Sequence, residues 1–345
     1  REIVSEFRQS FALTPQEESE KLLAILKRTL SGTLGKNLID IDFTTRQVVD
    51  SEEHSLLMEL RNSSLNNEEA AQALFQRIVQ SLSIEGHYVI LLAYDTYDVP
   101  YRSKDGEQQE DASSEVYSYF LCSICPVKMT KPALSYYVNE NMFHNRKEDW
   151  IVAAPEIGFL FPAFEDRSTN IYSALYYTRD IAENHQEFVD AVFHCEVPMP
   201  AAEQKETFES ILGETLAEDC SYDVVQSVHG QLSGMIEEHK ANKEVEPLVL
   251  SKTAVKRVLE SCGVPEERTA TFDEKYDTVF GADTELRPRN IINSKQFEVC
   301  TPDVTIRVNP ERSDLLETRV IDGKKYILIR AEEGVEVNGV QIHIS

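Results

Sequence analysis

Apolar positions in the first eighty residues recur at helical spacing. Between Glu17 and Leu30, the side chains of Leu22, Leu23, Ile25, Leu26 and Leu30 fall mostly on one face. From Asn66 or Asn67 onward, Ala70, Ala71, Leu74, Phe75, Ile78, Val79 and Leu82 make a second stripe behind an asparagine cap. Two amphipathic helices packed on a sheet are predicted. The period then changes: residues 87–93 are a β-branched and aromatic run that follows Gly86 and precedes Asp95 and Asp98, which predicts a strand ended by an acidic turn. Residues 116–125, 134–138, 150–153 and 158–161 also have strand length and composition. Helical spacing returns over 203–216 and 222–238, the latter with Val224, Val225, Val228, Leu232, Met235 and Ile236 as its stripe.

The stretch 240–247 (KANKEVEP) is polar, aperiodic and ends in proline, so it is the expected linker. Beyond it, residues 248–250 read as a short strand. Ser251 reads as an N-cap, 252–261 as a helix closed by Gly263, and Pro265 as the start of another helix. Strands are predicted at 297–301, 304–308, 317–321, 325–330 and 335–344, with Asp322-Gly323 and Asn338-Gly339 as hairpin turns. The fold class expected is therefore α+β (mixed α/β). A helix-flanked mixed-sheet domain over 1–240 is joined through 241–247 to a smaller α+β domain, rich in β-hairpins, over 248–345.

Charge reinforces this division. Residues 1–240 hold 19 Lys and Arg against 41 Asp and Glu, whereas 248–345 hold 14 against 17. With 41% hydrophobic and 27% charged residues the chain has globular composition, and its formal charge of −26 disfavours nucleic acid and anionic membranes as partners of the whole molecule. The longest apolar run, 88–94, is about a third of a membrane-spanning helix, so no membrane span is expected. The chain begins at Arg1, which leaves room for preceding residues, and no apolar signal core is visible. Six scattered cysteines suggest a reducing, cytoplasmic compartment.

No segment carries a catalytic signature. Cys122-Ser-Ile-Cys125 is the one C-x-x-C, but it lies in a strand pattern, where a spacing of three sends the thiols to opposite faces; both are expected to be small buried hydrophobes rather than a redox or zinc pair. Gly32-Thr-Leu-Gly35-Lys36 has the wrong length and order for a Walker loop and only the cadence of a nucleic-acid-clamping GxxG loop, so a helix C-cap and turn is expected. Two apolar strands run into polar clusters, one with Asp95 and Asp98 and one with Asp166 and Arg167. If the strands are parallel neighbours, three carboxylates share one sheet edge where Mg²⁺ could sit, with Arg167 facing a phosphate or carboxylate. If they are antiparallel the clusters separate, and solvated turn residues are the plainer reading. His144, beside Asn145, Arg146 and Asp149, is a candidate acid or base without an identifiable nucleophile, and His54, His185, His229 and His343 have no ligand spacing. No cofactor and no metal set is expected.

Two surfaces remain as candidate contacts. Eleven of the 14 tyrosines lie between Tyr88 and Tyr177, which predicts a half-buried, polar-rimmed sheet face. Between Arg287 and Arg330, nine basic residues face six acidic ones, among them Arg307, Arg312, Lys324 and Lys325 as possible anion or partner contacts. That stretch suits RNA, an acidic protein surface, or the acidic part of its own chain.

The strings SGTLGKNL (31–38), AYDTYDVPYRSKDG (93–106), LCSICPVK (121–128), GFLFPAFEDRS (158–168), EQKETF (203–208) and TPDVTIRVNPERSDLLETRVIDGKKYILI (301–329) resemble the bacterial DUF4317 family, a domain of unknown function found mainly in Bacillota. The resemblance covers nearly the whole chain. It implies a cytoplasmic bacterial protein with further residues ahead of Arg1, and it supplies no reaction, cofactor or site residue. The function expected first is a non-enzymatic macromolecule-binding protein, with a protein as possible partner. Alternatives are a metal-assisted hydrolase or phosphoryl-handling enzyme using the acidic strand ends, and an RNA- or ribosome-associated protein in which the C-terminal module alone meets nucleic acid.

Overall fold

The computed structural model describes residues 2–102, 108–183, 185–242, 244, 246–331 and 334–342, with side chains described for the same residues outside 101–114. The end of the last predicted strand, with His343, lies outside the described residues, as does part of the 240–247 stretch. Two compact units divide between Ala201 and Ala202. Among the described residues no helix is long and apolar enough to cross a membrane.

The first unit runs α1 (Gln16–Thr29), β1 (Leu38–Asp42), α2 (Thr45–Asp50), α3 (Glu52–Asn62), α4 (Glu68–Ser81), β2 (His87–Arg102) and β3 (Gln108–Met129). It continues through β4 (Ala133–Tyr137), β5 (Met142–Arg146), β6 (Trp150–Val152), β7 (Ile157–Phe161), β8 (Ala163–Glu165), β9 (Ser168–Asn170), β10 (Ser173–Thr178) and α5 (Gln186–Phe193). Five strands lie in the order β1-β10-β7-β3-β2, and β6 pairs with the far end of β3. Every pairing is antiparallel, so the sheet expected to be mixed is of one kind.

Strand alternation gives the sheet two different faces. On one, Ile39, Ile41, Phe120, Cys122, Ile124, Phe159, Phe161, Ala174 and Tyr176 pack against Leu57 and Leu60 of α3, Leu74 and Ile78 of α4, and Phe188 and Val192 of α5. Asn67 caps α4 by accepting from the Ala70 N–H at 3.1 Å, as its sequence position predicts. The other face receives α1, whose Leu26 meets Leu121, Leu160, Leu91 and Ala93, and at Tyr117 it meets Phe164 of β8. Gly158 lets that helix approach, since a Cβ there would lie 2.4 Å from both the Thr29 methyl and the Cys122 carbonyl oxygen. The buried Thr29 and Ser123 hydroxyls then bond at 2.6 Å.

The second unit contains α6 (Ala201–Leu216), α7 (Tyr222–Asn242), α8 (Lys252–Ser261), α9 (Glu266–Val279) and α10 (Pro288–Ile291). Three separate two-stranded hairpins follow: β11 (Phe297–Cys300) with β12 (Thr305–Val308), β13 (Leu316–Ile321) with β14 (Lys324–Ile329), and β15 (Val335–Val337) with β16 (Val340–Ile342). The unit division therefore falls some forty residues before the expected linker. Phe208, Ile211 and Leu216 of α6 and Val228 and Leu232 of α7 share one core with Leu250, Val255, Leu259, Phe272 and Tyr276. A polar stretch marks a solvated connection, and here that connection joins two helices of one core instead of two domains. Residues 248–250 contribute a single bridge, Leu250 to Leu286, in place of a strand. Ser251, as predicted, accepts from the Ala254 N–H at 3.3 Å at the start of α8.

Candidate interaction surface

The Asp166-Arg167 turn reaches β2 two residues beyond Asp98, where Arg167 donates to the Pro100 carbonyl. β2 continues through Asp95 and Asp98 in register with Tyr119 and Val116, so neither residue closes a strand. A spacing of three in extended backbone places the two carboxylates on opposite faces. Strands 88–94 and 158–161 do run in the same direction, but β3 lies between them and is antiparallel to both. Asp166 and Arg167 form the β8–β9 turn, with φ of 46° and 67°, as a tight hairpin of this kind requires. Among the described residues no three His, Cys, Asp or Glu side chains gather as a metal cluster. Asp95 and Arg167 have local tasks instead. Asp95 accepts from its neighbour Thr96 N–H at 2.8 Å and from the Tyr119 hydroxyl at 3.3 Å, and Arg167 donates to the Pro100 carbonyl.

The other sequence candidates are structural as well. Cys122 and Cys125 are fully buried, and burial pushes both thiols up, that of Cys125 to about 12. Neither supplies a thiolate at neutral pH. Gly35, with φ of 75°, turns the chain between α1 and β1, and the Asn37 side chain accepts from the Thr33 N–H at 2.7 Å. His54 is buried edge-on against Phe43 and Phe161 and bonds the Ile171 carbonyl at 2.8 Å, with burial lowering its pKa.

The basic stretch in the second unit is largely neutralised by its neighbours. Arg307 donates to Glu298 at 2.7 Å, Arg319 to Glu317 at 2.6 Å and Arg330 to Asp314 at 2.6 Å, while Arg312 lies 3.6 Å from Asp314. Lys324 and Lys325 are exposed on the β13–β14 hairpin and have no ion pair among the described residues. Cations of α9 meet the acidic helices: Arg268 bonds Asp219 at 3.0 Å, and Lys275 pairs with Glu214.

Among the segments the structure leaves uncovered is 129–152. Its base is clamped where Thr130 N–H donates to the Asp149 carbonyl at 2.7 Å and Asp149 N–H donates back to the Thr130 hydroxyl at 3.0 Å. From there β4 and β5 project as a hairpin, and β6 returns to pair with β3. The turn uses Asn141 at φ 49°, a conformation asparagine tolerates. Alternation places Leu134, Tyr136 and Phe143 on one side of the hairpin and Tyr137, Met142 and His144 on the other. Ring contacts stiffen it: Tyr136 with Phe143 at 5.2 Å and Tyr137 with His144 at 4.8 Å. Yet ten large apolar side chains of this segment are exposed, from Val152 at 44% to Val138 at 76%, including Trp150, the one tryptophan of the chain. His144 belongs to this hairpin, where its Nε2 lies 2.8 Å from Glu140 and Ser135 is its cross-strand partner.

Sequence reading found β4 and β6 but missed β5, and so took residues 143–149 for a polar cluster. The signal was present as two apolar runs flanking Asn139-Glu140-Asn141. The tyrosines do not share one face: Tyr88, Tyr94 and Tyr176 pack on the helix-covered side, whereas on the other Tyr117 stacks on Tyr119 at 4.8 Å, tilts against Phe164 at 4.7 Å and donates to the Pro162 carbonyl at 2.5 Å, and Tyr97 stays 49% exposed.

Comparison with known families matches one model, described as a domain of unknown function (DUF4317), over residues 1–340. The chain belongs to the DUF4317 family. No curated protein matches it. Family membership covers both units and therefore includes the exposed segment 129–152 within its bounds.

Proposed function

We propose that this DUF4317 member is a non-enzymatic protein that binds another protein through the segment 129–152. One observation carries the reading: ten exposed large apolar side chains lie together on a hairpin and its adjoining strand. Exposed apolar side chains concentrated in one segment are what protein contacts use, and tyrosine, tryptophan, phenylalanine and methionine are the residue types enriched there. Within the segment Lys131, Arg146 and Lys147 are balanced by Glu140, Glu148 and Asp149, in a chain of net charge −26. The partner is therefore held by apolar burial rather than by charge, which favours a protein over RNA. A cytoplasmic setting belongs to the same reading, supported by six free cysteines.

The test is affinity purification of the full chain beside a variant carrying Tyr136→Ser, Phe143→Ser and Trp150→Ser, each washed at low and high salt. A partner retained at roughly 0.5 M salt by the native chain and lost from the variant is the expected result, because apolar contacts persist where screened charges fail. Equal recovery by both chains would remove the segment from the contact. A nucleic-acid partner released by salt would favour the C-terminal module instead.

A further inference from the structure

The outer edge of β2 carries a second surface, which adjoins the first where Trp150 touches His87. β2 is sixteen residues long and, among the described residues, has β3 as its one strand neighbour. The Pro126 carbonyl accepts from Ala153 N–H at 2.8 Å and the Ile124 carbonyl from Glu156 N–H at 2.9 Å, so even-numbered residues of β3 turn their backbone groups away from β2. Odd-numbered residues of β3 turn toward it, and their partners are Val89, Leu91 and Ala93. By alternation, Tyr88, Ile90, Leu92 and Tyr94 direct their N–H and C=O groups outward. Thr96 obeys the same parity, since its N–H donates to the Asp95 side chain at 2.8 Å. Among the described residues no backbone hydrogen bond reaches the outer side of 88–94.

Edge strands are normally blunted by charge, proline or bulges. Here those devices cluster at the far end, where Asp95 and Asp98 carry charge, the register shifts at Pro100, and Arg167 occupies the Pro100 carbonyl. The stretch YVILLAY has none of them.

We propose that residues 88–94 pair with the same residues of a second copy, antiparallel about Leu91, and join two sheets across a two-fold axis. The register is self-complementary. Tyr88 falls opposite the second copy's Tyr94, Ile90 opposite its Leu92, and His87 opposite its Asp95. Slipping by two residues one way would set Glu85 against Asp95, and slipping the other way would set Val89 against it. The outward groups of four residues on each copy then exchange about eight backbone hydrogen bonds. His87 is held in place for this contact by Trp150, whose ring meets it edge-on at 5.2 Å. A closed, isologous dimer also removes the open edge from both copies.

Sedimentation velocity of the full chain over roughly 1–100 µM tests the pairing, with a dimer expected for the native protein. His87→Asp places carboxylates opposite each other at two symmetry-related positions and is expected to weaken dimerisation about tenfold. Combining it with Asp95→His exchanges the two side chains and is expected to restore the native constant to within about threefold, which a merely misfolded variant would not do. A native chain that stays monomeric throughout, a dimer indifferent to His87→Asp, or a double variant no better than the single one would each overturn the proposal. A native monomer that captures an added foreign strand at this edge would overturn it equally.

Discussion

Tyr176 and Tyr136 lie on antiparallel strands of the same unit and have opposite fates. Tyr176 is 1% exposed and stacked on Phe188 of α5, whereas Tyr136 is 49% exposed on a hairpin with no helix over it. Their strands are equally apolar, and the pairing is equally regular. The difference lies in what the rest of the chain supplies. Helices α3, α4 and α5 cover one face of the central sheet and α1 part of the other, while β4 and β5 project beyond all of them. Apolar residues under a helix act as core, and the same residues without one act as a surface awaiting a partner.

The comparison is broken most severely from the core side. Phe159→Ala empties a site ringed by Phe120, Phe188 and Phe193, and is expected to lower stability by about 3–5 kcal/mol in urea denaturation. Gly158→Ala tests the other face. Its new methyl collides with the Thr29 side chain and the Cys122 carbonyl, which is expected to cost about 1–3 kcal/mol. Adding Thr29→Ser should recover only part of that loss, because the carbonyl contact remains.

A pH series separates the covered side further. Burial lowers the pKa of His54 below the ordinary 6.5, partly offset by its bond to the Ile171 carbonyl. The folded state thus resists protonation that the unfolded chain accepts. Stability should be complete above the ordinary imidazole range and decline as pH falls below about 6.5, where the unfolded state binds the extra proton. His185 and His229 shift in the same direction for the same first cause, so His54→Gln should flatten the decline in thermal melts without abolishing it. The smallest effect on stability belongs to the arm: Phe143→Ala is expected to change it by less than about 0.5 kcal/mol while weakening partner recovery. A core-sized loss there would mean that the arm is part of the fold's own packing.

Much of the element map was legible. Asn67 and Ser251 cap the helices their positions announce, α8 has the expected bounds, and the last two hairpin turns fall where Asp322-Gly323 and Asn338-Gly339 place them. Short elements were missed where the local pattern is weak. β1, LIDID, alternates over only five residues, and β8 and β9 have three each. Asp95 and Asp98 misled for a physical reason: polar residues read as a turn, yet an edge strand can carry them outward while its backbone stays paired to β3.

The domain boundary shows a further reason. Charge divided the sequence at 240–247, but the units carry 17 Lys and Arg against 32 Asp and Glu over 1–201, and 17 against 28 over 202–345. Net charges of −15 and −11 replace the sharp contrast. The acidic helices α6 and α7 belong with the near-neutral tail, since Phe208 and Leu232 share a core with Leu259 and Phe272.

Local chemistry is what the sequence determined by itself: helix faces, caps and glycine turns. Those properties depend on a few neighbouring residues and survive any folding context. Tertiary structure alone decided which apolar strands would be covered, which edge would stay open and where one core would end and another begin. These depend on contacts between residues far apart in the chain, and periodicity carries no record of which helix will arrive to cover a given face.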